Sequence, residues 1–286
     1  MKWQGRRQST NIEDRRKSGS SRAGAATGVG GVGLIIVLFL GYILGVDVSP
    51  VLEGVESGSY QTSGDVTLSA ADEEVAAMVA VVLADTEEVW TEIFRTEFNQ
   101  IYTPPVLVLF KGATQSACGG ANAATGPFYC PPEQKIFLDT DFFITLERQL
   151  GAGGDFAAAY VVAHEVAHHV QNELGILDQA NRQRARVSEV RSNAISVQIE
   201  LQADCLSGVW ANVAQQRFDI LQKGDIAEAM NAAERIGDDT LQREAGQTVR
   251  PDSFTHGTSE QRQTWFMRGF QSGDPTQCDT FTARTL

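Results

Sequence analysis

YVVAHEVAHHVQ, residues 160–171, is the stretch on which the reading of this chain turns. His164 and His168 stand four residues apart, and Glu165 directly follows the first of them. At 3.6 residues per turn, positions i and i+4 share one helix face, so two imidazoles can converge on one ion. Glu165 is rotated about 100° from His164, beside the open side of such an ion. Two nitrogen ligands with a neighbouring carboxylate able to take a proton from ion-held water make a hydrolytic pattern. The pattern needs a helix, and its flanks supply one. Gly153 and Gly154 break the chain, Asp155 suits an N-cap, residues 156–174 contain no Gly or Pro, and Gly175 stands where a C-cap is expected. HExxH also arises by chance. Here Val161, Val162, Ala163, Val166, Ala167 and Val170 mark the helix as buried, where unpartnered His and Glu are costly. Three of the four histidines fall within this stretch; His169 lies off the ligand face and reads as an outer or surface residue.

A catalytic zinc takes three protein ligands and keeps one position open. The candidate third ligand lies in IELQADCLSGVWA, residues 199–211, where Glu200 and Asp204 are again spaced i, i+4. Acidic pairs on helices usually form solvated faces, but these two sit in a largely apolar run that ends in Trp210 and Ala211. Glu200 completes a His, His, Glu set for one zinc ion. Asp204 can accept the N–H of a ligand histidine and orient its ring.

Five stretches together resemble a known family. HEVAHHVQ (164–171), ELQADCLSGVWA (200–211) and HGTSEQRQTWFMRGF (256–270) are joined by the opening MKWQGRRQSTNIEDRR (1–16) and the middle CGGANAATGPFYCPPEQKIFLD (118–139). In this order they resemble the putative neutral zinc metallopeptidases of bacteria, with ligand logic similar to the wider gluzincin peptidases. The resemblance implies a zincin-like α+β fold, mostly helical with a small sheet, and a membrane-anchored layout. It implies zinc on His164, His168 and Glu200, with Glu165 polarising the water and then protonating the leaving amine. In related gluzincins a late histidine or tyrosine donates to the developing oxyanion. Thr-His-Gly-Thr resembles that segment, which implies this role for His256, with an ordinary loop histidine as the alternative. Zincin folds also pair extended substrate with an edge strand beside the metal helix. Residues 126–139, GPFYCPPEQKIFLD, occupy the corresponding place, with an ordinary core strand as the alternative.

Charge and cysteine usage narrow the classes further. Residues 1–22 hold seven Lys/Arg against Glu13 and Asp14, a net of +5, so the remaining residues carry −18 of the total of −13. A body so acidic argues against nucleic-acid binding, which wants a basic footprint. Four cysteines allow two disulfides in three connectivities, or free buried thiols. Cys118 and Cys130 bracket a short loop and pair on that ground, and Cys205 pairs with Cys278 by elimination. No CxxC spacing occurs.

Along the chain, residues 1–22 read as a basic, disordered cytoplasmic tail. A transmembrane helix is expected over residues 23–48, because 29–46 (VGGVGLIIVLFLGYILGV) are Gly and apolar throughout. As a helix those residues span ~27 Å against a hydrocarbon core of ~30 Å. The basic block before them places the N-terminus inside and the body outside the cytoplasmic membrane; a cleaved signal peptide is the competitor. Residues 49–69 read as a linker and 70–286 as the zincin-like domain. Within it, helices are expected over 70–98, 139–150, 184–217, 225–235 and 238–245, with one more after Thr258 or Ser259. Strands are expected at 106–110 and 135–139, and residues 175–183 read as a connection. Arg262 reads as a brace for the site, while Trp265, Phe266 and Phe270 read as core.

The expected function is a membrane-anchored zinc endopeptidase that hydrolyses peptide bonds outside the cytoplasmic membrane, its partners a peptide or protein substrate and, through one helix, lipid. Two other readings fit the same ligands. A metal-stabilised, non-catalytic membrane adaptor would close the fourth zinc position, with Asp204 the nearest candidate. A zinc amidase acting on cell wall would use similar zinc water.

Overall fold

The structure, a computed structural model, describes residues 1–17, 68–122, 125–148 and 150–286. The expected transmembrane helix and all but the end of the linker lie outside those residues. Among the described residues no helix is long and apolar enough to cross a membrane. The domain is α+β, mostly helical with a small sheet, as expected. Strand β1 (Ile12–Asp14) precedes helix α1 (Ala70–Ile93), which continues as a π-turn over Phe94–Phe98. Next come β2 (Val106–Phe110), the hairpin β3 (Ala113–Ser116) and β4 (Gly119–Asn122), β5 (Phe128–Cys130) and β6 (Lys135–Asp139). The rest is helical: α2 (Asp141–Arg148), α3 (Asp155–Glu173), α4 (Ile176–Arg184), α5 (Glu189–Phe218), α6 (Asp225–Arg235), α7 (Asp238–Glu244) and α8 (Ser259–Ser272).

Helix α3 forms where the sequence places it, with one correction at its start. Asp155 is the first helical residue, not the cap. Its carboxylate is drawn away to the ammonium group of Met1, and the Phe156 N–H donates instead to Glu228 of α6 at 3.0 Å. Gly175 ends the helix at φ +71°, a left-handed conformation that glycine adopts without Cβ strain. Residues 175–183, expected as a connection, largely form α4, and the second long helix starts at Glu189. Leu177 and Ala180, one turn apart, are buried and give this short helix a face to pack, which its strongly polar sequence conceals.

The four-stranded sheet runs β1-β2-β6-β5, parallel except for the last pair. β6, the KIFLD segment, is therefore interior, and the edge within residues 126–139 is β5. The opposite edge is covered by β1, which corrects the expectation of a disordered tail for residues 1–17. Ile12, Glu13 and Asp14 stand in register with Leu107, Val108 and Leu109, and Arg16 is only 4% exposed. Five basic side chains here, those of Lys2, Arg6, Arg7, Arg15 and Arg16, find carboxylates or backbone carbonyls on the domain, contacts that composition alone does not show. Both expected disulfides are present: Cys118–Cys130 ties the β3–β4 hairpin to β5, and Cys205–Cys278 ties α5 to the C-terminal segment.

Helices α5 and α8 cross on glycine. A Cβ at Gly269 would lie 1.9 Å from the Cys205 carbonyl oxygen, and one at Gly208 would lie 2.1 Å from the Phe266 carbonyl oxygen. Only hydrogen at both positions lets the two backbones meet, and that approach sets the depth at which α8 delivers its side chains. Gly269→Ala is expected to destabilise the domain by about 1–3 kcal/mol through overpacking. In a thermal melt this reads as a loss of roughly 2–4 °C per kcal/mol.

Candidate metal centre

Two helices converge on one point. His164 and His168 project from one face of α3, their rings perpendicular with centroids 4.8 Å apart. From α5, Glu200 brings one carboxylate oxygen to 3.1 Å from His164 Nε2 and the other to 3.5 Å from His168 Nε2. One ligand atom from each of the three residues lies within 4.8 Å of the others. The sequence-derived ligand set is thus brought together.

The far side of each ring is held as well. His164 Nδ1–H donates to Asp204 Oδ1 at 2.9 Å, one helical turn beyond Glu200. His168 Nδ1–H donates to Gln171 Oε1 at 2.9 Å. Gln171 is itself fixed, its amide donating to the Ile199 carbonyl at 2.8 Å and to Gln202 Oε1 at 2.9 Å. With both Nδ1 atoms engaged as donors, each imidazole that gives up its second proton presents an Nε2 lone pair to the common point, the tautomer a metal requires.

Asp204 is the hub of this outer layer. It has no exposed surface, and it accepts from Tyr160 O–H at 2.5 Å and from Arg262 Nε and Nη2 at 2.8 and 3.0 Å. Burial would raise its pKa, but Arg262 and His164 outweigh burial and hold it below the ordinary carboxylate value. Burial alone would lower His164, yet Asp204 and Glu200 lift it to about 10. Glu200 keeps some exposed surface, and the two imidazoles hold it well below its ordinary value against the upward pull of partial burial. Glu165, by contrast, is raised by burial. The carboxylates draw positive charge into the cluster, as protons on the imidazoles or as a cation in their place. Glu165, Glu200 and Asp204, once ionised, face one buried guanidinium, so with neutral imidazoles two negative charges await compensation. A divalent cation supplies that charge, and a His, His, Glu donor set suits zinc. On chemistry and charge the residues fit the ion.

Asp204 cannot also close a fourth position, because both of its oxygens are committed away from the Nε2 side. Among the described residues no further His, Cys, Asp or Glu joins the ligand group. A second acidic cluster, Asp155, Asp225 and Glu228, is already occupied by the chain itself, through the Met1 ammonium and the Phe156 N–H.

His256 lies on the turn before α8. Asp238 Oδ2 accepts the backbone N–H groups of Thr255, His256 and Gly257, and Asp238 Oδ1 lies 3.3 Å from His256 Nδ1. A Cβ at Gly257 would lie 3.2 Å from Val197 and 3.3 Å from Leu201, which flank Glu200 on α5. His256 is thereby set beside the centre, and Asp238 and Glu200 raise its pKa against the pull of burial. His169 is not at the surface. It is fully buried, donating from Nε2 to the Thr103 carbonyl at 2.6 Å and accepting from Tyr129 O–H at 3.0 Å, so it ties β5 to the metal helix. Tyr160, Gln171 and Asp238 escaped the sequence reading. The first two had a signal: Tyr160 stands four residues before His164 and Gln171 three after His168, each on its partner's face. Asp238 had none, since only the fold brings it to His256.

Arg262→Met is expected to lower stability by about 3–5 kcal/mol, because it leaves Asp204 buried without its cation. It should also weaken zinc binding by roughly 10–100-fold through the loosened His164, read by competition with a chromogenic chelator. Pairing it with Asp204→Asn should recover much of the stability but not the affinity.

The family model of the putative neutral zinc metallopeptidases matches residues 1–281. The uncharacterised protein YpfJ of Escherichia coli K12 is 44% identical over 287 residues, covering 98% of this chain and 99% of that protein. The uncharacterised proteins Mb2605 of Mycobacterium bovis and Rv2575 of Mycobacterium tuberculosis are each 45% identical over 197 residues, covering 65% of both chains. No solved structure matches.

Proposed function

The chain belongs to the putative neutral zinc metallopeptidase family, and from that premise we propose that it is a zinc-dependent endopeptidase of the gluzincin type. The observation that carries this reading is the convergence of His164, His168 and Glu200 with the Nε2 side left open. When bound there, zinc supplies a Lewis acid and lowers the pKa of a coordinated water from 15.7 towards ~7.

The remaining work falls to the chain's own groups. Glu165 follows His164 on α3 and is buried, so its carboxylate is a stronger base than an exposed one and can draw a proton from the water. It then returns that proton to the departing amine. His256, held on Nδ1 by Asp238 and biased towards its protonated form, donates from Nε2 to the carbonyl oxygen as negative charge grows there. Asp204, Arg262 and Gln171 keep the ligand rings aimed throughout. Substrate backbone adds as a further strand along the free side of β5, which the Tyr129–His169 contact ties to α3. The commitment of Asp204 to His164 and Arg262 disfavours the adaptor reading, which needed that carboxylate as a fourth ligand.

Glu165→Gln should keep stoichiometric zinc by metal analysis and lose at least about 100-fold in cleavage of a peptide library. Zinc retention with unchanged cleavage would remove Glu165 from the mechanism. The base must be ionised to act, and burial raises its pKa. Cleavage by the wild type should therefore fall as pH drops, with the acid limb of kcat/KM lying above the ordinary glutamate value of 4.5.

A further inference from the structure

The seventeen described residues at the start of the chain lie along α1 in the opposite direction to it. Arg16 donates to the Asp72 carbonyl at 2.8 Å and to Glu73 at 3.2 Å, in the first turn of that helix. Ser9 N–H donates to the Ala80 carbonyl at 2.9 Å, midway along. Arg6 grips Asp85 with two bonds of 2.7 Å, and Arg7 reaches the Ala84 carbonyl, Glu87 and Glu88. Beyond α1, the Lys2 N–H donates to the Ile220 carbonyl at 2.8 Å, after α5. On its other side the same segment supplies β1 to the sheet. The fit is one of charge as well as shape: a basic peptide in a groove walled by Glu73, Asp85, Glu87 and Glu88. Asp85 is 4% exposed, and burial pushes it up to about 6 even with the Arg6 guanidinium against it. An empty groove would leave a buried carboxylate without a partner and a bare sheet edge.

This docking has a consequence for topology. Arg16 reaches the Asp72 carbonyl, so residues 17 and 68, the two flanks of the stretch 18–67, both lie a few residues at most from one contact at the start of α1. A single crossing by the apolar residues 29–46 would hold those flanks on opposite faces of a hydrocarbon core ~30 Å thick. One bilayer cannot lie between two parts of one sheet.

We propose that this groove is a built-in receptor for the chain's own residues 1–17, and that residues 1–17 and 68–286 lie on the same side of any membrane that residues 29–46 enter. The layout expected from the basic block, N-terminus on one side and body on the other, requires the groove to stand empty. The inference is independent of the metal centre and of its chemistry.

Two exposed positions report on it in the full chain in its native membrane. Single substitutions Thr10→Cys and Glu244→Cys are treated with a membrane-impermeant maleimide before and after the cells are opened. Both are expected to label under the same condition, either both before lysis or both only after it. Labelling of one before lysis and the other only after would overturn the proposal. A second measurement tests the docking itself in the detergent-solubilised full chain. Arg6→Asp should lower the melting temperature, and adding Asp85→Arg should restore at least half of the loss. An unchanged melt in Arg6→Asp, or no recovery in the pair, would show that residues 1–17 do not occupy the groove.

Discussion

One carboxylate holds the centre together. Asp204 has no contact with water, yet it is ionised, because Arg262 clasps it with two hydrogen bonds while Tyr160 and His164 take the remaining positions on its oxygens. Asp204 on α5 and its partners on α3 and α8 thereby join three different helices. A buried charge of this kind is stable only while every partner is in place, which makes the relative position of the helices a matter of electrostatics as much as of packing. The glycine crossing of α5 and α8 lets Arg262 reach Asp204, and the Cys205–Cys278 bridge fastens the residue next to Asp204 to the C-terminal segment. The candidate ligands therefore sit on a frame held by the chain's own contacts, as a site of defined geometry requires.

The same economy appears on the sheet side. His168 and His169 are neighbours that point to different tasks, one towards Glu200 and the other towards Tyr129 and Thr103. A single helix thus carries a ligand and the tie that aligns the edge strand β5 with it. β1 and β5 are the two edges of that sheet, and of the two β5 is the one tied to α3, through the Tyr129–His169 contact. An edge strand beside the candidate ligands is where the proposed substrate backbone would pair.

How much of this could be read beforehand follows from the range of each interaction. His164, Glu165 and His168 are legible because helix periodicity relates them within one turn. Glu200 and Asp204 are legible because the same periodicity recurs in an apolar run where carboxylates need a reason to be present. The disulfide pairing followed from one short loop and a count of four. What failed depended on distant partners. Asp155 looks like a cap, but the Met1 ammonium claims it; a polar α4 hides its two buried residues; the basic N-terminal residues look unfolded until the acidic wall of α1 is set beside them. KIFLD looks like a candidate edge until β5 pairs outside it. Local pattern located the candidate ligands, and long-range charge pairing decided the architecture around them.

The claim beneath all of this is that His164, His168 and Glu200 hold one zinc ion and leave room for water. X-ray absorption on the zinc-loaded protein tests it directly. The account expects a first shell of nitrogen and oxygen alone, at about 2.0–2.2 Å, with two imidazole scatterers that fall to one in His168→Ala. A sulfur shell at about 2.3 Å, or an imidazole count unchanged by that substitution, would contradict it.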